Sequence, residues 1–169
     1  MATVSLAYSG PNTITISPQN VATSSTFVAG VESDQIDNTS NLYNDVLVQG
    51  LWTCGTTPTA NTSVNIYVWG SHTSAGTTAI DVIEGTASAE TITSAGVLSS
   101  FLRLAAVGVV DSTTSDRGYP IGPFSVAALF GGNMPQFWGL FISHNSGVNS
   151  NTTAGNHVWK YTGVKYTVA

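Results

Sequence analysis

The sequence predicts an all-β fold, an antiparallel β-sandwich of the jelly-roll-like kind with an extended N-terminal arm. Three observations carry that expectation. Short apolar runs, several of them alternating with polar residues, recur along the 169 residues. Clusters of Gly, Pro, Asn, Ser and Thr separate them in the manner of polar turns. Strong helix formers are scarce, with charged residues only 8% of the chain, while Thr, Val, Ile, Tyr and Trp are common.

Residues 1–22 read as an N-terminal arm or peripheral strand. Within them Thr13-Ile14-Thr15-Ile16-Ser17 alternates, Pro18 closes it, and Ser9-Gly10-Pro11-Asn12 signals a turn before it. Residues 23–169 read as one β-sandwich domain, with no linker and no convincing internal repeat. The segment from Glu32 to Asn41 is polar, so its acidic residues are expected on a loop. Asp45 to Cys54 gives a longer strand, ended by the turn at Gly55 to Pro58. Ser63 to Trp69 gives the next, with Val64, Ile66 and Val68 on one face and Asn65, Tyr67 and Trp69 on the other. These two strands are expected to pair antiparallel.

Residues 70–100 look loop-rich, and the small residues of 71–78 suit a lid or contact loop. Ser100 to Val110 is almost continuously apolar. Periodicity alone fits a strand or a buried helix, and its valines and Gly108 favour a strand covered on both sides. Gly118 to Pro123 is too broken by Pro and Gly for a central strand, so the chain is expected to cross between sheets or edges there. Phe124 to Leu129 resumes pairing. Phe137 to His144 is the most hydrophobic stretch, marked as core or buried interface by its aromatics. Val158 to Val168 is a closing, half-exposed strand.

Composition narrows the function. Hydrophobic residues make up 42% of the chain and the formal net charge is −5. A length of this order buries a core without disulfides or metals. Only Arg103, Arg117, Lys160 and Lys165 are basic, so the cationic stripe that binds phosphate backbones is missing and no direct nucleic-acid binding is expected. Seven acidic residues precede Arg103, an acidic half that would suit a basic protein surface or be ordinary solvated carboxylates. Neutral hydroxyls and amides repel copies of themselves weakly, which suits a protein that associates. Cys54, the lone cysteine, reads as a small buried residue. Residues 1–5 show no secretion signal, and no apolar run is long enough for a membrane helix, so neither export nor a membrane partner is expected. The triplets at Asn38, Asn61 and Asn151 match the glycosylation pattern, as chance allows in so Asn- and Thr-rich a chain.

No chemistry assembles. His72, His144 and His157 lie far apart in sequence, and no Cys-x-x-Cys or His-x-His pair exists, so no metal is expected. Asp34, Asp37, Asn38 and Asn41 lack the alternation of a calcium loop. There is no Gly-x-Ser-x-Gly elbow, nothing singles out a carboxylate pair among Asp45, Asp81, Glu84, Asp111 and Asp116, and Gly131-Gly132-Asn133 is no phosphate loop. The expectation is a protein that is not an enzyme and holds no cofactor. Tyr67 and Trp69 on one strand with Trp159 and Tyr161 on another are the candidate interface or sugar-stacking aromatics, or else a second hydrophobic layer.

Several segments carry a resemblance: Thr23 to Ser33, Asp37 to Asn41, Val48-Gln49-Gly50, Ile121 to Phe141 and His144 to Gly147. From about Val21 onward the chain resembles small structural proteins of tailed bacteriophages, encoded beside capsid genes and thought to decorate or cement the head. The resemblance implies a non-enzymatic virion protein, made in the host cytoplasm. It would dock on the capsid exterior against the major capsid protein as a homo-oligomer, with a trimer favoured. The alternative is a carbohydrate-binding or receptor-binding virion module, and an enzyme such as a virion glycosidase would need a carboxylate pair.

Overall fold

Alternation with apolar residues on both parities requires a strand to be covered twice, and that requirement shapes the architecture. The computed structural model describes residues 2–74 and 81–168. The strands run β1 Val4–Thr13, β2 Ala29–Glu32, β3 Ile36–Asp37, β4 Asp45–Thr53, β5 Thr62–Ser71, β6 Ala89–Thr91, β7 Arg103–Val110, β8 Gly118–Ser125, β9 Phe137–His144 and β10 Val158–Val168. Helix α1 spans Ala95–Phe101, α2 is a single turn at Val126–Leu129, and a short 3-10 turn covers Ala154–Asn156.

The strands form two antiparallel sheets in a sandwich-like arrangement. One has the order β1-β10-β4-β8 and the other β6-β2-β9-β5-β7, with β3 also on β9. The first half of the chain pairs with the second in reverse order: β1 with β10, β2 and β3 with β9, β4 with β8, β5 with β7.

The main core lies between the sheets. Val46, Val48 and Trp52 of β4 and Trp159 of β10 meet Val64, Ile66 and Val68 of β5 and Trp138, Leu140 and Ile142 of β9. A second apolar cluster covers the opposite face of the larger sheet, where Tyr67, Trp69 and Phe141 pack under Ile83, Ile92, Leu98 and Leu102. The side-chain parity expected for β5 holds, and both of its faces are buried.

Four local expectations are corrected. Strands β4 and β5 do not pair; the residues between them carry the chain from one sheet to the other. Alternation fixes which residues share a face but leaves a neighbour in the same sheet and one across the core equally compatible. Ser100 to Val110 is not one doubly covered strand. Ser94 caps α1 by accepting from the Val97 N–H at 3.1 Å, the helix runs to Phe101, and β7 then lies at a sheet edge with Leu104, Val107 and Val109 exposed. Beyond Ser125 the chain leaves the sheet, because the Ser125 hydroxyl accepts from the Ala128 N–H and starts α2. The first strand begins at Val4, and the Gly10-Pro11 signal marks a register shift within it between Ser9 and Asn12. Residues 14–16 then cross sheets, with the Ile14 N–H donating to Trp159 O and the Asp34 N–H to Thr15 O. Of the stretch 71–78 expected to suit a lid or contact loop, residues 75–78 lie outside the described residues.

Two indoles lie flat over glycines on the neighbouring strand: Trp69 over Gly139, its register partner on β9, and Trp159 over Gly50, its partner on β4. A methyl group at either glycine would enter the ring's van der Waals envelope. Gly139→Ala and Gly50→Ala should each destabilise the protein by roughly 1–3 kcal/mol, whereas Gly155→Ala, with nothing near its Cβ position, should stay within about 0.5 kcal/mol. Urea midpoints of the three variants check this ordering, and equal midpoints would contradict it.

Candidate functional site

The aromatic candidates are placed first. Tyr67, Trp69 and Trp159 are 6%, 0% and 2% exposed, and Tyr161 is half-buried with its ring edge-on to Trp138 at 5.5 Å between centroids. Tyr67 and Trp69 belong to the outer cluster, whereas Trp159 belongs to the inter-sheet core, with Tyr161 packed against it. The sugar-stacking platform is therefore corrected: the four rings face two different hydrophobic layers, because the large sheet has its own cover and β10 is a central strand. Burial also pushes the Tyr161 hydroxyl above its ordinary range.

The histidines come next. His144 is wholly buried, with Nε2 3.0 Å from Val21 O, Nδ1 2.9 Å from Ser146 Oγ and its ring 5.0 Å from that of Trp52. A serine beside an imidazole suggests a nucleophile, but Ser146 is equally buried and the far nitrogen meets a backbone carbonyl instead of a carboxylate. The pair ties the 21–24 segment to the end of β9. Desolvation pushes the His144 pKa down to about 4. His157 is also held neutral, since its Nδ1 accepts from the Thr53 N–H at 3.3 Å while Nε2 donates to Asn151 O at 3.1 Å, and burial lowers its pKa.

The carboxylates are spent locally. Glu32 is fully buried, its Oε1 accepting from the Glu84 and Thr86 N–H groups, and desolvation raises its pKa. Asp34 accepts from the Ala87 N–H, Asp37 from Thr39, Asp81 from Thr93, and Glu90 from the Ser88 hydroxyl. Asp45 accepts from the Val46 and Ala127 N–H groups and the Ser125 hydroxyl. Six of the seven acidic residues before Arg103 thus bind their own surroundings, which gives the acidic half a structural use in turns and caps. Cys54 is buried, as expected, and burial raises its thiol pKa. Among the described residues no group of three His, Cys, Asp or Glu side chains could hold a metal ion, and no helix is long and apolar enough to cross a membrane.

The cavities are shallow. One groove of about 290 Å³ crosses the outer face of the smaller sheet between Gln49, Leu51, Pro120, Gly122, Val158 and Lys160. It has no carboxylate, thiol, hydroxyl or imidazole side chain in its lining.

What stands out is on the surface. Of the ten large apolar side chains exposed among the described residues, eight fall in two ordered rows. Val4, Leu6 and Tyr8 of β1 stand opposite Val168, Tyr166 and Val164 of β10, and all but the half-buried Val164 are exposed. Leu104, Val107 and Val109 form the second row on β7. Exposed apolar residues gathered in contiguous patches mark interaction sites, whereas scattered ones need no explanation. Sequence reasoning missed the first row, although Val4-Ser5-Leu6-Ala7-Tyr8-Ser9 alternates plainly, because the Gly10-Pro11 signal was given the weight of a turn.

No family model, curated protein or solved structure matches the chain.

The two buried histidines give a signed prediction. Their native pKa values lie below the unfolded value of 6.5, so their contribution is full above that pH and is lost as pH falls through the native values, about 4 for His144. For His144 alone the loss is on the order of 3 kcal/mol. Glu32 works in the opposite sense, favouring the native state as its raised carboxyl takes up a proton. Denaturant unfolding between pH 7.5 and 4.5 should show stability falling with acid, with a shallower slope in His144→Gln. An unchanged slope in that variant would contradict the assignment.

Proposed function

We propose that the chain is a non-enzymatic structural protein of a virion, a jelly roll that binds the exterior of a capsid shell and stabilises it. The observation that carries this reading is the gathering of exposed apolar side chains into two rows on a surface rich in neutral hydroxyls and amides and poor in charge. Such a surface is made for contact with protein. The chemistry-bearing side chains, in contrast, are largely buried or engaged in local hydrogen bonds.

The jelly-roll reading is supported by strand order. With β2 and β3 counted as one interrupted strand and the short β6 set aside, eight strands remain, and numbered along the chain they lie 1-8-3-6 in one sheet and 2-7-4-5 in the other. That is the order produced when a long antiparallel hairpin, first half paired with second, is wrapped into a sandwich. Shell-forming and lectin domains use this architecture. The resemblance described above chooses between them in favour of the shell, and the burial of Tyr67, Trp69 and Trp159 takes the stacking residues away from a lectin-like role.

The major capsid protein is the proposed partner, and the virion surface the proposed location. Many copies on one particle allow each contact to be modest, because avidity multiplies weak contacts. The β7 row suits the shell-facing contact, being flanked by the neutral side chain of Asn65 on β5. Purified protein mixed with preformed capsids of its own virus should co-sediment to a fixed stoichiometry, with Val107→Asp/Val109→Asp reducing binding at least tenfold. It should bind neither free DNA nor simple sugars. Failure to co-sediment, or saccharide binding that survives in place of capsid binding, would overturn the reading.

A further inference from the structure

The four sheet ends are not alike. Strand β8 carries Pro120 and Pro123, which cannot donate to an added strand. Strand β7 approaches β8 across the sandwich, so that side is closed by the chain itself. Strand β6 is three residues long and bears Glu90. Strand β1 is ten residues long, ends its sheet, and carries none of these guards on its first six residues. Beyond Thr13 the chain crosses to the other sheet, which leaves Val4 to Ser9 as the open stretch.

That stretch is matched to itself. No charged side chain occurs between residue 2 and Glu32, so a copy laid against it meets no like charge, and a charged partner would find nothing to pair with. In an antiparallel arrangement centred on Leu6, Leu6 faces Leu6, Val4 faces Tyr8, and Tyr8 faces Val4, all on the exposed apolar face. Ser5 faces Ala7 on the other. Aromatic and β-branched pairs of this kind stabilise antiparallel neighbours, and a slip by one residue would set the apolar row against the small polar one. Tyr166 and Val168 of β10 extend the same face behind β1. Lys165 stands on the opposite face, across from Ala7, with its amine 6.0 Å from the Tyr43 ring.

We infer that β1 pairs edge to edge, antiparallel, with β1 of a second copy of this chain about a two-fold axis at Leu6, joining two four-stranded sheets into one of eight. The contact is isologous, so each copy contributes the same strand. It is a different symmetry from the trimer implied by the resemblance, and it forms in solution whether or not a shell is present. Its failure and that of the shell reading are therefore separate.

Light scattering on the full chain, followed up to the high-micromolar range, should give twice the 17.5 kDa monomer mass. Leu6→Lys should return it to the monomer, with a thermal unfolding midpoint equal to that of wild-type protein diluted to where it too is monomeric. Leu6→Cys should be joined to a covalent dimer by a short bismaleimide, while the wild type, whose Cys54 is buried, and Leu104→Cys should not. The cross-link reads the register even where Leu6→Lys fails to fold. A monomer at all concentrations, a trimer untouched by Leu6→Lys, or a β1 variant that loses only capsid binding would each overturn the inference.

Discussion

Burial of β9 on both faces is the constraint from which the rest of the structure follows. Its inner side chains Trp138, Leu140, Ile142 and His144 and its outer side chains Phe141 and Ser143 are all nearly inaccessible. A strand covered twice needs a layer on each side. The inner layer is the smaller sheet, with Trp52, Val48 and Trp159. The outer layer is the segment from Ile83 to Leu102, too short of strand pairing to hold itself in place. It is held by carboxylates from beneath: Glu32 accepts from the Glu84 and Thr86 N–H groups and Asp34 from that of Ala87. The full burial of Glu32 is thus the cost of fastening the cover. Trp69 fits because Gly139, its cross-strand partner on β9, leaves room for an indole to lie flat.

Much of this was legible in the residues. The strands at β4, β5, β9 and β10 follow from alternation or sustained hydrophobicity, and the burial of Cys54 from its neighbours; Pro120 and Pro123 rightly kept 118–123 out of a sheet centre, but the crossing expected there is instead the edge strand β8 paired with β4. Sheet membership was not legible, since pleating says nothing about whether the next strand lies beside or across. Helix α1 was hidden by its length of seven residues and by the absence of charged residues; its one signal was Ser94 before a short apolar stretch. Of the readings open for the candidate aromatics, the second hydrophobic layer holds for Tyr67 and Trp69 and the stacking platform does not. Tyr67 and Trp69 do occupy the face away from the inter-sheet core, but the cover over that face comes from residues whose sequence reads as loop.

The functional reading rests on what remains exposed once these demands are met. His144 with Ser146, the pairing closest to a catalytic arrangement, serves to anchor the 21–24 segment, and both side chains are sealed from solvent. The acidic half dissolves into caps and turns. The uncommitted surface of the described residues is mostly neutral polar groups, with a few exposed charges such as Glu84 and Lys160, and it carries two apolar rows, one on β7 and one on the overhanging ends of β1 and β10, where β4 no longer flanks β10 beyond Val164. On the proposed reading such a protein acts through contact, with a shell on one side and a second copy on the other.

A reconstruction of the intact particle tests that account most directly. The account predicts density for this chain on the outer surface of the capsid, with the β7 row toward the shell and β1 edges of neighbouring copies meeting at two-fold contacts. Density at a tail or fibre tip, or a particle that lacks the chain, would contradict it.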